Sequence, residues 1–228
     1  MDERAAQEAA WISYPMNTKA QEQAIGVYVA LIGEAKFRIQ WIEYALSGRT
    51  GLDAPLVREF GYLQLRMICE LVALGCLTVH GDIQETRTRR FQDDHAADRI
   101  LDGLERLHHH FYPRPSVEVL TGPAGRQLDP LPPDAYLTKN ELLDLYRRQC
   151  GSALHKGSLK NLLKSKPTRQ TQFPELVLAT QKMAALLRVH LIGLLDDRTQ
   201  IICFFHNTQG VVAAIAAEVA APPDAEHP

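Results

Sequence analysis

Two long windows of this chain repeat apolar residues every three or four positions, a period that confines them to amphipathic helices. In the first, Tyr28, Leu31, Ile32, Ala35, Ile39, Ile42 and Leu46 form one stripe, while Glu34, Lys36 and Arg38 fall on other faces. Ser47-Gly48 closes it, with glycine suited to the left-handed residue after a helix. In the second, Leu56, Phe60, Leu63, Met67, Leu71 and Leu74 carry the stripe towards Val79, and Gly81 breaks it. Asp53 is placed to cap its start, and Pro55 falls in the first turn, where a missing N–H costs little.

A third, more polar helix is expected at about 83–111, with Phe91, Ile100, Leu101, Leu104, Leu107 and Phe111 facing inward. Residues 113–135 hold six prolines and read as a long connection, a candidate lid or arm, with Val117–Leu120 alternating enough for a short strand. Thr138 followed three residues later by Glu141 is a capping-box signature for a short helix. Gly151 and Gly157 interrupt the helical pattern over 138–165, which reads as two helices or one broken helix. A last long helix is expected from Pro174 to about Asp197, with Leu176, Met183, Leu186, Leu187, Leu191, Leu194 and Leu195 as its core face. Ile201–Phe205 and Val211–Ile215 flank the turn Asn207-Thr208-Gln209-Gly210 and read as a β-hairpin, although the alanines leave a helical second arm open. A lone hairpin is marginal in water. It must pack on the bundle, pair with residues 117–120, or add strands to a second subunit. The expected fold is therefore all-α: an N-terminal arm (1–19), a bundle of about five helices (20–198), a small C-terminal β-hairpin (199–217) and a disordered tail (218–228).

The 228 residues suffice for one core. No run of about 18 uncharged apolar residues suggests a membrane span. The start, Met1-Asp2-Glu3-Arg4, does not resemble a secretory signal, so the expected address is the cytoplasm. Cys69, Cys76, Cys150 and Cys203 form no CxxC pair and are expected to be reduced, mostly buried thiols. Walker A, dinucleotide-fingerprint, GxSxG and HExxH motifs are missing, and no cofactor is expected.

Charge is unevenly spread. Leu145–Gln170 carries seven basic residues and no acid, while the remainder has 18 basic against 27 acidic residues, a balance of −9. Such a segment suits nucleic acid, with Arg147, Lys156, Lys160 and Lys164 as candidate phosphate contacts. No aromatic residue for base stacking lies between Arg147 and Gln172. Docking onto the acidic body of the same or another subunit accounts for the segment equally well.

Within it, Arg148 and His155 enclose Gln149-Cys150-Gly151-Ser152-Ala153-Leu154, about two helical turns, on one face of a regular helix. Histidine can move the 2′-hydroxyl or leaving-group proton of RNA, and arginine can hold the phosphate. This arginine–x6–histidine spacing resembles the motif of the HEPN superfamily. The resemblance extends loosely to Arg66-Met67-Ile68-Cys69-Glu70 and to the later segment from Tyr146 to His155. It implies a helical bundle, a homodimer with two facing motifs and, in active members, metal-independent ribonuclease activity, often in toxin or phage-defence systems. Arg148 and His155 would then inherit the catalytic roles.

Other readings compete. Arg66 and Glu70, four apart on an apolar helix, read first as a structural ion pair that also reaches another helix. Asp94, Asp98, Asp102, Glu105 and His109 share a face of the third helix, but ligands from one helix do not converge, so no metal site is assigned. The leading functional expectation is a module that binds a protein partner or forms a homo-oligomer, and the alternative is the HEPN-like endoribonuclease.

Overall fold

Helix α1, Lys19–Leu46, buries Tyr28, Ile32, Ala35, Ile39, Ile42 and Ala45, nearly the stripe its period foretells. Gly48 follows at φ 76°, the left-handed position expected there. The structure is a computed structural model and describes residues 19–81, 83–120, 126–154, 173–194, 199–206 and 209–218. Helix α2, Ala54–Val79, runs back along α1, and Arg38 of α1 donates to Gln64 of α2 at 2.7 Å.

The face that α2 buries is only in part the one expected: Leu71 and Val79 are buried and Leu74 packs on the core. Val57, Gly61, Leu65, Ile68, Val72, Cys76 and Val79 point inward, while Leu56 and Leu63 are 50% and 44% exposed. Helix α2 is apolar on nearly every side, so periodicity alone does not select a face. Its glycines do. A Cβ on Gly61 would lie 2.5 Å from Leu176, and one on Gly75 would lie 2.9 Å from the Tyr28 ring. Only the face carrying these glycines admits such close neighbours. By length and composition α2 could cross a membrane, yet 56% of its apolar window is buried within the protein.

The expected third helix is broken into a 3-10 turn (Gln84–Arg87), α3 (Arg89–Gln92) and α4 (Ala97–Glu105). Asp94 interrupts it: its carboxylate accepts the Ala96 N–H at 3.0 Å and pairs with Arg99 at 2.8 Å. Helix α5 (Lys139–Asp144) opens with the Thr138–Glu141 capping box and continues through a π turn (Leu145–Gln149) into α6 (Cys150–Leu154). Helix α7 is Pro174–Arg188.

Strands β1 (Arg114–Leu120), β2 (Arg126–Pro130), β3 (Val189–Gly193), β4 (Thr199–Phe204) and β5 (Ala213–Glu218) form one antiparallel sheet in the order β2-β1-β3-β4-β5. The fold is mixed α/β, and this corrects the all-α expectation. The expected hairpin is β4–β5, but it continues a larger sheet. Strand β3 lies inside the segment expected to be the last helix. That helix ends at Arg188, and His190, Leu191 and Ile192 ladder with Cys203, Ile202 and Ile201 instead. Leu187, Leu191 and Leu194 satisfy a helical stripe in sequence, but His190 and Ile192 are the buried pair, which is the alternation of a strand. Strand β1 meets β3 only at Arg114 and Pro115. Beyond them the β1–β2 hairpin projects as an arm, with Val117 and Val119 exposed. One apolar cluster runs from α1 and α2 through α7 to Ile192, Ile201 and Cys203.

Candidate functional site

The π turn governs the geometry of the candidate residues. A π turn takes in one more residue than an α turn. Tyr146, Arg147 and Arg148 therefore leave it towards α2, towards α4 and into a cleft, respectively.

Tyr146 completes a small constellation with the two charges singled out on α2. Its hydroxyl donates to Glu70 Oε1 at 3.2 Å and lies 3.3 Å from Arg66 Nη2. Arg66 and Glu70 pair at 3.5 Å, and the guanidinium lies 4.6 Å from the centre of the Tyr146 ring. Burial, then the Glu70 charge, push the Tyr146 phenol above its ordinary value. It stays protonated at neutral pH and acts as a tether between helices, not as an acid. Burial pushes the adjacent Cys150 thiol up to about 12, which removes it as a nucleophile.

Arg147 binds Asp98 at 2.9 Å and Asp102 at 2.7 Å, and Lys139 binds Glu105 at 2.6 Å. The acidic face of α4 is thus matched by cations from α5 and the π turn. Among the described residues no cluster of three or more His, Cys, Asp or Glu side chains could hold a metal ion.

Arg148 lines a cleft of about 810 Å³ between the α5–α6 rod and α7. Its side chain is 80% exposed and is ion-paired with Asp144 one turn earlier. Hydrogen bonds from Arg148 and Gln149 hold the Asp144 carboxyl below the usual carboxylate range. Leu145, Leu178 and Ala179 give the cleft an apolar floor, and Lys182 and Glu141, 2.7 Å apart, close one side. His155, Lys156, Lys160 and Lys164 lie outside the described residues.

Three histidines missed in the sequence fasten the fold from inside. Tyr28 donates to Nε2 of His190, and His190 Nδ1 donates to the Leu187 carbonyl at 3.1 Å. His80 and His108 both reach the Gly193 carbonyl, at 3.1 and 3.0 Å. Their long-range partners lie 85 to 162 residues away, so no local motif announces those contacts.

The least satisfied surface is apolar. Phe37 and Trp41 on α1 are 58% and 43% exposed and meet edge-on at 5.9 Å. Leu56 and Leu63 of α2 are exposed as well, at 50% and 44%.

These residues define a mixed α/β protein whose helices pack on an antiparallel sheet. Compared with known proteins, the chain significantly matches no family model, no curated protein and no solved structure.

Proposed function

We propose that this chain is a non-catalytic oligomerising module, in which the outer α1–α2 face seats the same face of a second copy. An apolar row on that face carries the reading, with Leu56 and Leu63 exposed and Phe60 and Met67 half-buried between and beside them. Leu56, Phe60, Leu63 and Met67 step by four, three and four, the knob spacing of a helix-packing seam. Run antiparallel against itself, the seam sets Leu56 of one copy opposite Met67 of the other, and Phe60 opposite Leu63. Apolar patches of this kind on a folded surface mark association sites. Four free, buried thiols suit the reducing cytoplasm.

Sedimentation of the full chain tests this. The wild type should associate beyond its 25.6 kDa mass, and Leu56→Lys with Leu63→Lys should weaken that association at least tenfold without changing the circular dichroism. Both side chains are half-exposed, so the fold should tolerate the change. Association as tight as the wild type in this double variant would end the reading.

The exposed Arg148 at the mouth of a cleft favours a second reading, a HEPN-like metal-independent endoribonuclease using Arg148 and His155. RNA contacts would fall to Lys156, Lys160 and Lys164, because Arg147 is engaged by Asp98 and Asp102. Incubating RNA in EDTA with wild type and His155→Ala decides it. Cleavage that is absent, or equal in both, removes the nuclease.

A further inference from the structure

We infer that strand β5 is a second, separate self-association surface, at which two copies pair antiparallel about Ile215 and join their sheets edge to edge. This goes beyond the helical seam and does not depend on it.

The sheet has two edges, and they differ. Strand β2 carries Asp129, hydrogen-bonded by Gln127 at 2.6 Å, and ends on Pro130, which has no N–H to offer. Charge and proline are the usual devices that keep an edge from pairing. Strand β5 has neither over Ala213-Ala214-Ile215-Ala216-Ala217. Among the described residues it pairs only with β4, so its outer row of N–H and C=O groups faces no strand.

Alanine is a poor strand former, because it gives a pleated surface little to pack. An alanine strand is held mainly by its backbone ladder, and β4 supplies one side of that ladder. A second neighbour would supply the other side.

The sequence points to the identity of that neighbour. Ala213–Ala217 reads the same in both directions. Antiparallel pairing about a two-fold axis at Ile215 sets Ala213 opposite Ala217, Ala214 opposite Ala216, and Ile215 opposite its own copy. Each residue meets its like in size on both faces, which an isologous contact requires. Ala214 and Ala216 share the face of their core partners Cys203 and Ile201, whereas Ala213 and Ala217 lie on the other face beside the half-buried Phe204 and Gln200, with Ile215 between them beside the buried Ile202.

The test uses the full chain carrying Leu56→Lys and Leu63→Lys, so that association through the helical seam does not contribute. In that background the chain should still sediment as a pair. Adding Ala213→Lys with Ala217→Lys places lysine against lysine twice across the axis and should weaken pairing at least tenfold. Adding Ala213→Lys with Ala217→Glu places lysine against glutamate and should restore it. Register is read separately with cysteine-substituted chains and a short bis-maleimide, since the four native thiols are buried. Ile215→Cys should cross-link to twice the 25.6 kDa mass, whereas Ala213→Cys, about 13 Å from its own copy at strand spacing, should not. A seam-deficient chain that sediments singly, a lysine pair without effect, a glutamate exchange that fails to restore pairing, or equal cross-linking at both positions would each overturn the inference. Failure of the helical reading looks different: the seam variant then associates as tightly as the wild type, while the β5 lysine pair still weakens it.

Discussion

At the scale of single residues, the Tyr28–His190 contact shows how a buried polar pair ties a helix to a strand. His190 has no exposed surface, and its Nδ1–H is committed to the Leu187 carbonyl, so its Nε2 accepts the Tyr28 hydroxyl. Burial lowers the His190 pKa to about 4. In the unfolded chain the imidazole titrates at about 6.5. Between these values the unfolded state binds the proton and the native state does not, so stability falls as pH drops from about 6.5 towards 4. The full loss is roughly 3 kcal/mol. Urea melts of the wild type should therefore shift to lower midpoints from pH 7 to pH 5, and His190→Gln should flatten that dependence. An unchanged slope in the variant would mean that His190 is already protonated in the folded chain. The period of α1 placed Tyr28 correctly in the core, but it gave no sign that the hydroxyl needed a partner 162 residues away.

At the scale of elements, legibility followed whether a signal was local. The Thr138-x-x-Glu141 box was readable because both of its hydrogen bonds lie within four residues, at 2.9 and 3.3 Å. The buried face of α2 was not readable from apolar period, because Leu56–Leu63 and Val57–Leu65 offer rival stripes; the small residues Gly61 and Gly75 carried the missing signal. The junction of α7 and β3 was hidden because Leu187, Leu191 and Leu194 keep the helical period, and only the ladder with β4 selects the strand. Glycine space gives a paired test. A Cβ on Gly33 of α1 meets nothing within 4 Å, whereas one on Gly75 presses the Tyr28 ring that His190 holds in place. Gly33→Ala should stabilise the chain by about 0.5–1 kcal/mol through helix propensity. Gly75→Ala should gain the same propensity but lose about 1–3 kcal/mol to overpacking. Thermal melts should move in opposite directions, and a stabilised Gly75→Ala would show that α1 and α2 part easily.

At the scale of the whole molecule, the sheet draws on distant stretches of chain, with residues 114–130 meeting 189–218 through β3. A lone β4–β5 hairpin would be marginal in water and so needed a neighbour, but that neighbour lay inside a segment with a helical pattern. The candidate site was legible in part. Arg66, Glu70 and Tyr146 do converge, whereas Arg147, expected on RNA, is held by Asp98 and Asp102 across a distance no local motif spans. The two proposed surfaces lie on different elements, the α1–α2 outer face and the β5 edge, so their effects on stability should be separable. Binding that requires the folded chain stabilises it by mass action, by about 2.7 kcal/mol when free chain exceeds Kd a hundredfold. For a chain of this size each kcal/mol moves Tm by about 2–4 °C. Raising wild-type protein from near Kd to a hundred times Kd should lift Tm by roughly 5–10 °C. The seam variant and the β5 lysine variant should each keep part of that rise, and the chain carrying all four lysines should melt at one temperature throughout. A wild-type Tm that ignores concentration over this range would remove both surfaces together, whereas a rise that survives all four substitutions would place association on a third.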